Sequence, residues 1–97
     1  MKLLRLSPRA ESDLEGIAEY IARDNRARAF SFVEELLSLC RRLPENPQAY
    51  PRRDGIRRGI RLAVHGRYLI LFRVLPSEIR VERIVHSARD LSRILKS

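Results

Sequence analysis

Near Gly55 the spacing of apolar side chains changes from helical to alternating, and that change restricts the folds open to the chain. Before it, Ala10, Leu14, Ile17, Ala18 and Ile21 recur at helical spacing, and so do Phe30, Val33, Leu36, Leu37, Cys40 and Leu43. The two stripes predict helix α1 over about Pro8 to Arg23 and helix α2 over about Ala27 to Leu43, broken at Asp24 and Asn25. So short a break makes the pair an antiparallel hairpin. Ser7 suits the N-cap of α1, Pro8 its first turn, and Glu11, Asp13 and Glu15 its positive end. After a proline-punctuated loop, Ile60, Leu62 and Val64 alternate with Arg61, Ala63 and His65, which predicts strand β2, and Gly66 permits a tight turn. Tyr68 to Leu75 reads as β3, apolar on both faces as a central strand is. Ile79 to His86 reads as β4, and Leu3, Leu4 and Leu6 give a short β1 ahead of Ser7.

The order is therefore β-α-α-β-β-β, an α+β fold with an N-terminal helical hairpin packed on a mainly antiparallel sheet. A chain of 97 residues allows one such domain, residues 1–97. Two helices cover one face of β3 and leave the other to the C-terminal tail or to another chain, which points to a partner. The tail, Ser87 to Ser97, places Leu91, Ile94 and Leu95 at helical spacing and is expected to add a short helix.

Charge is distributed unevenly. Residues 1–48 hold eight basic and eight acidic side chains, whereas residues 49–97 hold twelve and four, so the whole net charge of +8 lies in the second half. Such an excess points to nucleic acid or an acidic protein partner. Of the 20 basic residues all but Lys2 and Lys96 are arginine, which favours forked recognition of phosphate or carboxylate. Arg52, Arg53, Arg57, Arg58, Arg61 and Arg67, with Asp54, give segment 52–67 a net charge of +5, read either as an anion clamp or as a charged sheet edge that resists aggregation.

Other chemistries are poorly supplied. No glycine-rich phosphate loop and no cluster of metal ligands occurs, so neither a cofactor nor a metal is expected. No apolar run exceeds five residues, so no membrane-spanning segment is expected, and Met1 to Arg5 lacks the apolar core of a signal peptide. The single cysteine, Cys40, suits a reducing compartment and the apolar stripe of α2, and a cytoplasmic protein is expected. His86 reads as a general acid or base, or as a structural histidine hydrogen-bonded to a nearby carboxylate such as Asp90. His65, beside a turn, reads as a solvated loop residue. Tyr68 and Phe72 share a face, taken as the one under the helices.

Ser7-Pro8, Ala10, Asp13-Leu14, Ile17 and Tyr20-Ile21 resemble the first helix of ParE toxins from bacterial toxin–antitoxin modules. Arg61, Gly66-Arg67-Tyr68-Leu69-Ile70, Arg73-Val74, Arg83-Ile84-Val85-His86 and Ala88-Arg89-Asp90 continue the resemblance in the same order, from Leu4 to about Leu91. The resemblance implies the RelE/ParE superfamily fold and a ParD-like antitoxin whose C-terminal segment wraps along the toxin. Arg58, Arg61, Arg73 and Arg83 are the candidate contacts for that acidic partner, and Arg89, Arg93 and Lys96 for the toxic target. ParE-like members of the superfamily poison DNA gyrase by binding it, whereas RelE-like members cleave messenger RNA on the ribosome. For the nuclease reading the candidate catalytic residues are His86, Arg61 and Arg83, but Ser87 follows His86 and the tail holds no aromatic, which favours the gyrase reading. A basic binding module without toxicity is the third reading, and direct contact with nucleic acid is compatible with each.

Overall fold

Strand β1 (Leu3–Leu6) leads into helix α1 (Pro8–Ala22), helix α2 (Arg26–Arg42), then β2 (Arg61–His65), β3 (Tyr68–Val74) and β4 (Glu78–His86). The computed structural model describes residues 2–91 and Arg93. The strands form one sheet in the order β1-β4-β3-β2. Only β1, beside β4, runs parallel to its neighbour, and β2-β3-β4 is an antiparallel meander. The α+β reading, the element order and the mainly antiparallel sheet therefore hold.

The local chemistry follows the caps. Ser7 Oγ accepts from the Ala10 amide at 3.0 Å, and Pro8 opens the first turn of α1. The helix ends where the Asp24 and Asn25 amides both donate to the Ile21 carbonyl, and the Asn25 side chain then caps α2 through the Arg28 amide. Gly66, at φ 58°, makes the β2–β3 turn in a conformation that costs most side chains strain.

The main core lies between hairpin and sheet. Ala10, Leu14 and Ile17 of α1 and Phe32, Leu36, Leu39 and Cys40 of α2 pack on Ala63, Tyr68, Ile70, Phe72, Ile79, Val81 and Ile84. Two expectations need correction. Phe30 is 73% exposed, and the buried stripe of α2 runs instead through Ala29, Phe32, Leu36, Leu39 and Cys40. In β2 it is Ala63 that faces the helices, while Ile60 and Leu62 face away and Val64 is 64% exposed.

A β-bulge in β4 completes the core. Leu71 pairs with Arg83 but Phe72 with Val81, so Glu82 has no opposite residue. Strict alternation from Ile79 would send Val85 toward the helices. The extra residue shifts the parity, so that Ile84 joins the helix-side core and Val85 the far side.

That far side is closed by the chain itself. Ile60, Leu62, Leu69, Leu71 and Val85 form a second buried cluster, covered by Ile56 from the loop before β2 and by Leu91. The second apolar face of β3 is thus no vacancy for a partner, because the chain's own lid occupies it. In the tail, Leu91 and Arg93 have helical backbone, and Ile94, Leu95 and Lys96 lie outside the described residues. No helix among the described residues is long and apolar enough to cross a membrane.

Candidate functional site

Two basic regions stand out, at opposite ends of the sheet. The first is the loop from Arg52 to Ile60. Arg52 pairs with Arg61 as an isolated bridge, and the Arg53 amide donates to the Ile60 carbonyl at 2.8 Å, closing the loop at its neck. Asp54 organises the interior: it accepts from the Gly59 amide at 2.8 Å and from the Arg52 guanidinium at 3.1 Å. These bonds, the Gly59 amide first, hold the Asp54 carboxyl below the usual carboxylate range. Gly59 sits at φ 80°, and a Cβ there would meet the Arg73 guanidinium at 3.0 Å. The loop is a built structure, and it leaves the side chains of Arg53 and Arg58 exposed, with neither in an ion pair or side-chain hydrogen bond among the described residues.

The remaining partner candidates are engaged within the fold. Arg61 donates to the Tyr50 carbonyl at 2.7 Å and to Gln48 at 3.2 Å. Arg73 pairs with Glu82 at 2.7 Å and also donates to the Arg58 carbonyl. Arg83 forms a fork on Asp13 at 2.9 and 3.0 Å, and the same carboxylate accepts from the Ile84 amide at 2.9 Å. That pairing holds the Arg83 guanidinium more firmly protonated, chiefly through the Asp13 hydrogen bonds. Of Arg58, Arg61, Arg73 and Arg83, Arg58 is thus the one whose side chain makes no hydrogen bond or ion pair among the described residues, although its charge helps to hold the Asp54 carboxyl low.

The second region lies where β3 begins and β4 ends. Tyr68 pairs with His65 on one side and with His86 on the other. The His86 ring meets the Tyr68 ring edge-on at 5.3 Å. Asp90 does approach His86, but its carboxylate accepts from the His86 main-chain amide at 3.0 Å and not from the ring. The ring's Nδ1 instead accepts from the amides of Ala88 and Arg89, each at 3.2 Å. With that lone pair engaged by two donors, the neutral ring carries its proton on Nε2 and presents a donor to the outside.

Arg89, held by this turn, lies over the Tyr20 ring at 4.7 Å and donates to the Tyr68 hydroxyl at 3.3 Å. Tyr20, Ile21, Arg28, Phe32, Arg67, Tyr68, His86 and Arg89 enclose a cleft of about 550 Å³. Arg28 reaches it over Phe32, 5.0 Å from the ring centroid, and is bound to Glu35. His65 is no loop residue: it ends β2, half-buried, 2.8 Å from Glu35 and with its ring 5.3 Å from that of Phe32 at a tilt of 48°. Two bonds, from Arg28 first and then His65, hold the Glu35 carboxyl low.

The nuclease set named from sequence is dispersed. Arg61 stands opposite Phe72 and His86 opposite Tyr68, four residues along the same strand, which is about 13 Å. Arg83 is fixed on Asp13. Arg89 does reach the His86 cleft, Arg93 is exposed, and Lys96 lies outside the described residues. Sequence reading did not bring Tyr20, Arg28, Phe32 and Arg67 to one place. Their only sequence signal was basic and aromatic residues spread over three segments, α1, α2 and the β2–β3 turn. Cys40 is fully buried in the core, as its stripe implied. Among the described residues no cluster of His, Cys, Asp and Glu could hold a metal ion.

The molecule is thus a helical hairpin over a β1-β4-β3-β2 sheet that carries an arginine loop at one end and a basic cleft at the other. The family model for the ParE toxin of the type II toxin–antitoxin system, parDE, matches residues 4–91, and the chain belongs to that family. It is also similar in fold to a solved structure described as the chromosomal ParDE TA system from P. aeruginosa, with a TM-score of 0.77 and 22% identity, over 89% of this chain and 96% of that one. No curated protein matches it.

Proposed function

We propose that this chain acts in the cytoplasm as a toxin that inhibits DNA gyrase by binding it, and that a ParD-like antitoxin neutralises it. Membership of the ParE toxin family over residues 4–91 is the observation that carries this reading. The dispersal of His86, Arg61 and Arg83 supports a binding toxin over a ribosome-dependent nuclease, since in-line cleavage of RNA needs its acid, base and cations around one phosphate. The antitoxin supplies carboxylates to the exposed arginines of the Arg52–Ile60 loop, Arg58 first among them. Arg61, Arg73 and Arg83 shape that surface from within, and Arg89 and Arg93 face the target, with Lys96 beyond them in sequence.

Expression of the chain alone in a bacterial host distinguishes the readings. Gyrase inhibition predicts a DNA-damage response and loss of negative supercoiling in a reporter plasmid, with bulk messenger RNA intact. Both effects disappear on co-expression of the antitoxin. Rapid global loss of messenger RNA with normal supercoiling would replace this proposal with the nuclease reading.

A further inference from the structure

We infer that the cleft between α1, α2 and the His86 end of the sheet is a binding site for one nucleotide unit of a single strand, base and phosphate together. Its geometry has a part for each half of such a ligand. For the base there is a cation–π contact already made: the Arg89 guanidinium carbon lies 4.7 Å from the centre of the Tyr20 ring, and the same group donates to the Tyr68 hydroxyl at 3.3 Å. Guanidinium planes held this way accept an unstacked base on the open side. For the phosphate there is Arg67, exposed and without an ion-pair partner among the described residues. Beside it is the Nε2–H of His86, which the Ala88 and Arg89 amides commit to donation by occupying Nδ1. Arg28 is already bound to Glu35 and contributes its stem and the Phe32 wall it covers.

The size fits the same ligand, because about 550 Å³ lies within the range of small-ligand sites. An acidic peptide would use the guanidinium groups but leave the Arg89 plane and the aromatic walls idle, so the nucleotide is the better match. This inference stands apart from the gyrase proposal: it concerns a ligand of the isolated chain, whatever the toxic target.

The test is fluorescence anisotropy of the full chain with labelled tetranucleotides, in both DNA and RNA, and with the abasic tetramer as the matched charge control. We expect base-bearing strands to bind about tenfold tighter than the abasic one. Arg89→Lys keeps the charge and removes the plane, and should bring base-bearing strands down to the abasic level. Arg67→Gln should weaken every strand and reduce the salt slope by about 0.7. Arg53→Gln, an exposed arginine on the far loop, should change affinity by less than twofold. Either sugar binding in this pattern supports the site, and the ratio between them names the strand. Equal binding of abasic and base-bearing strands, equal binding of an acidic peptide of the same charge, or equal losses from Arg53→Gln and Arg67→Gln would each overturn it. All these positions are exposed, and circular dichroism confirms that each variant keeps its fold.

Discussion

Cys40 has no exposed surface, and burial pushes its thiol from an ordinary 9.0 up to about 11. Between those two values the unfolded chain releases the proton and the folded chain keeps it, so the unfolded state gains stability as pH rises. Folding stability should therefore fall by about 1.4 kcal/mol per pH unit across that window, about 2–3 kcal/mol in all, and level off above it. Denaturant titrations of the wild type and of Cys40→Ala at pH 8 to 11 check this. The wild-type advantage should shrink through the window, and a constant gap would show that the thiol ionises equally in both states. The environment of Cys40 was legible in its stripe. That of His86 was only half so: the proximity of Asp90 follows from a four-residue spacing, but which atoms meet does not. The carboxylate takes the main-chain amide, and the ring is committed by two other amides, a choice set by the turn from Ser87 to Asp90 that no spacing rule reports.

Helix α1 is fastened to β4 at two points, and both fall around the bulge. The Ser7 hydroxyl caps the helix and donates to the Glu82 carbonyl at 2.7 Å, so the bulged residue's carbonyl finds a partner. Six residues on, Asp13 takes both the Arg83 guanidinium and the Ile84 amide, past the end of β1 where the edge of β4 would otherwise be bare. Asp13→Ala should strand a half-buried guanidinium and a main-chain donor together, at a cost of about 2–3 kcal/mol. Asp13→Asn still offers an oxygen to the amide and should lose about half as much. The measurement is equilibrium unfolding in urea, and equal losses from the two variants would mean that the amide bond contributes nothing. Element order and the α1 face could be read from sequence because the apolar spacing there admits one helical phase. The face of α2 could not, since Phe30 and Phe32 offer competing phases and packing on His65 and Tyr68 selects Phe32. Nor could the bulge: Ile79, Val81, Arg83 and Val85 alternate well enough to suggest an unbroken strand.

Across the whole molecule, the loop that carries Arg53 and Arg58 is also half of the lid over the second core. Ile56 anchors it on the far face of the sheet, and Leu91 closes the same face from the C-terminal side. The charge excess of the second half is thus presented on a scaffold fixed by an apolar contact, and the apolar far face of β3, which invited a partner when read from sequence, is spent on that anchoring. Ile56→Ala and Leu91→Ala should each lower stability by about 1–2 kcal/mol, because each removes a half-buried aliphatic group from one cluster. Their effects on partner binding should differ. Loss of Ile56 releases the arginine loop, which must then be ordered again when an acidic antitoxin segment docks, so affinity should fall about tenfold with the salt dependence preserved. Loss of Leu91 leaves Asp54, Gly59 and the neck of the loop intact, and affinity should change by less than twofold. Calorimetric titration of both variants with the antitoxin, at two salt concentrations and well below their melting temperatures, checks the pair. Equal losses of affinity would mean that the antitoxin reads the lid as a whole, and no loss from Ile56→Ala would remove the arginine loop from the antitoxin surface.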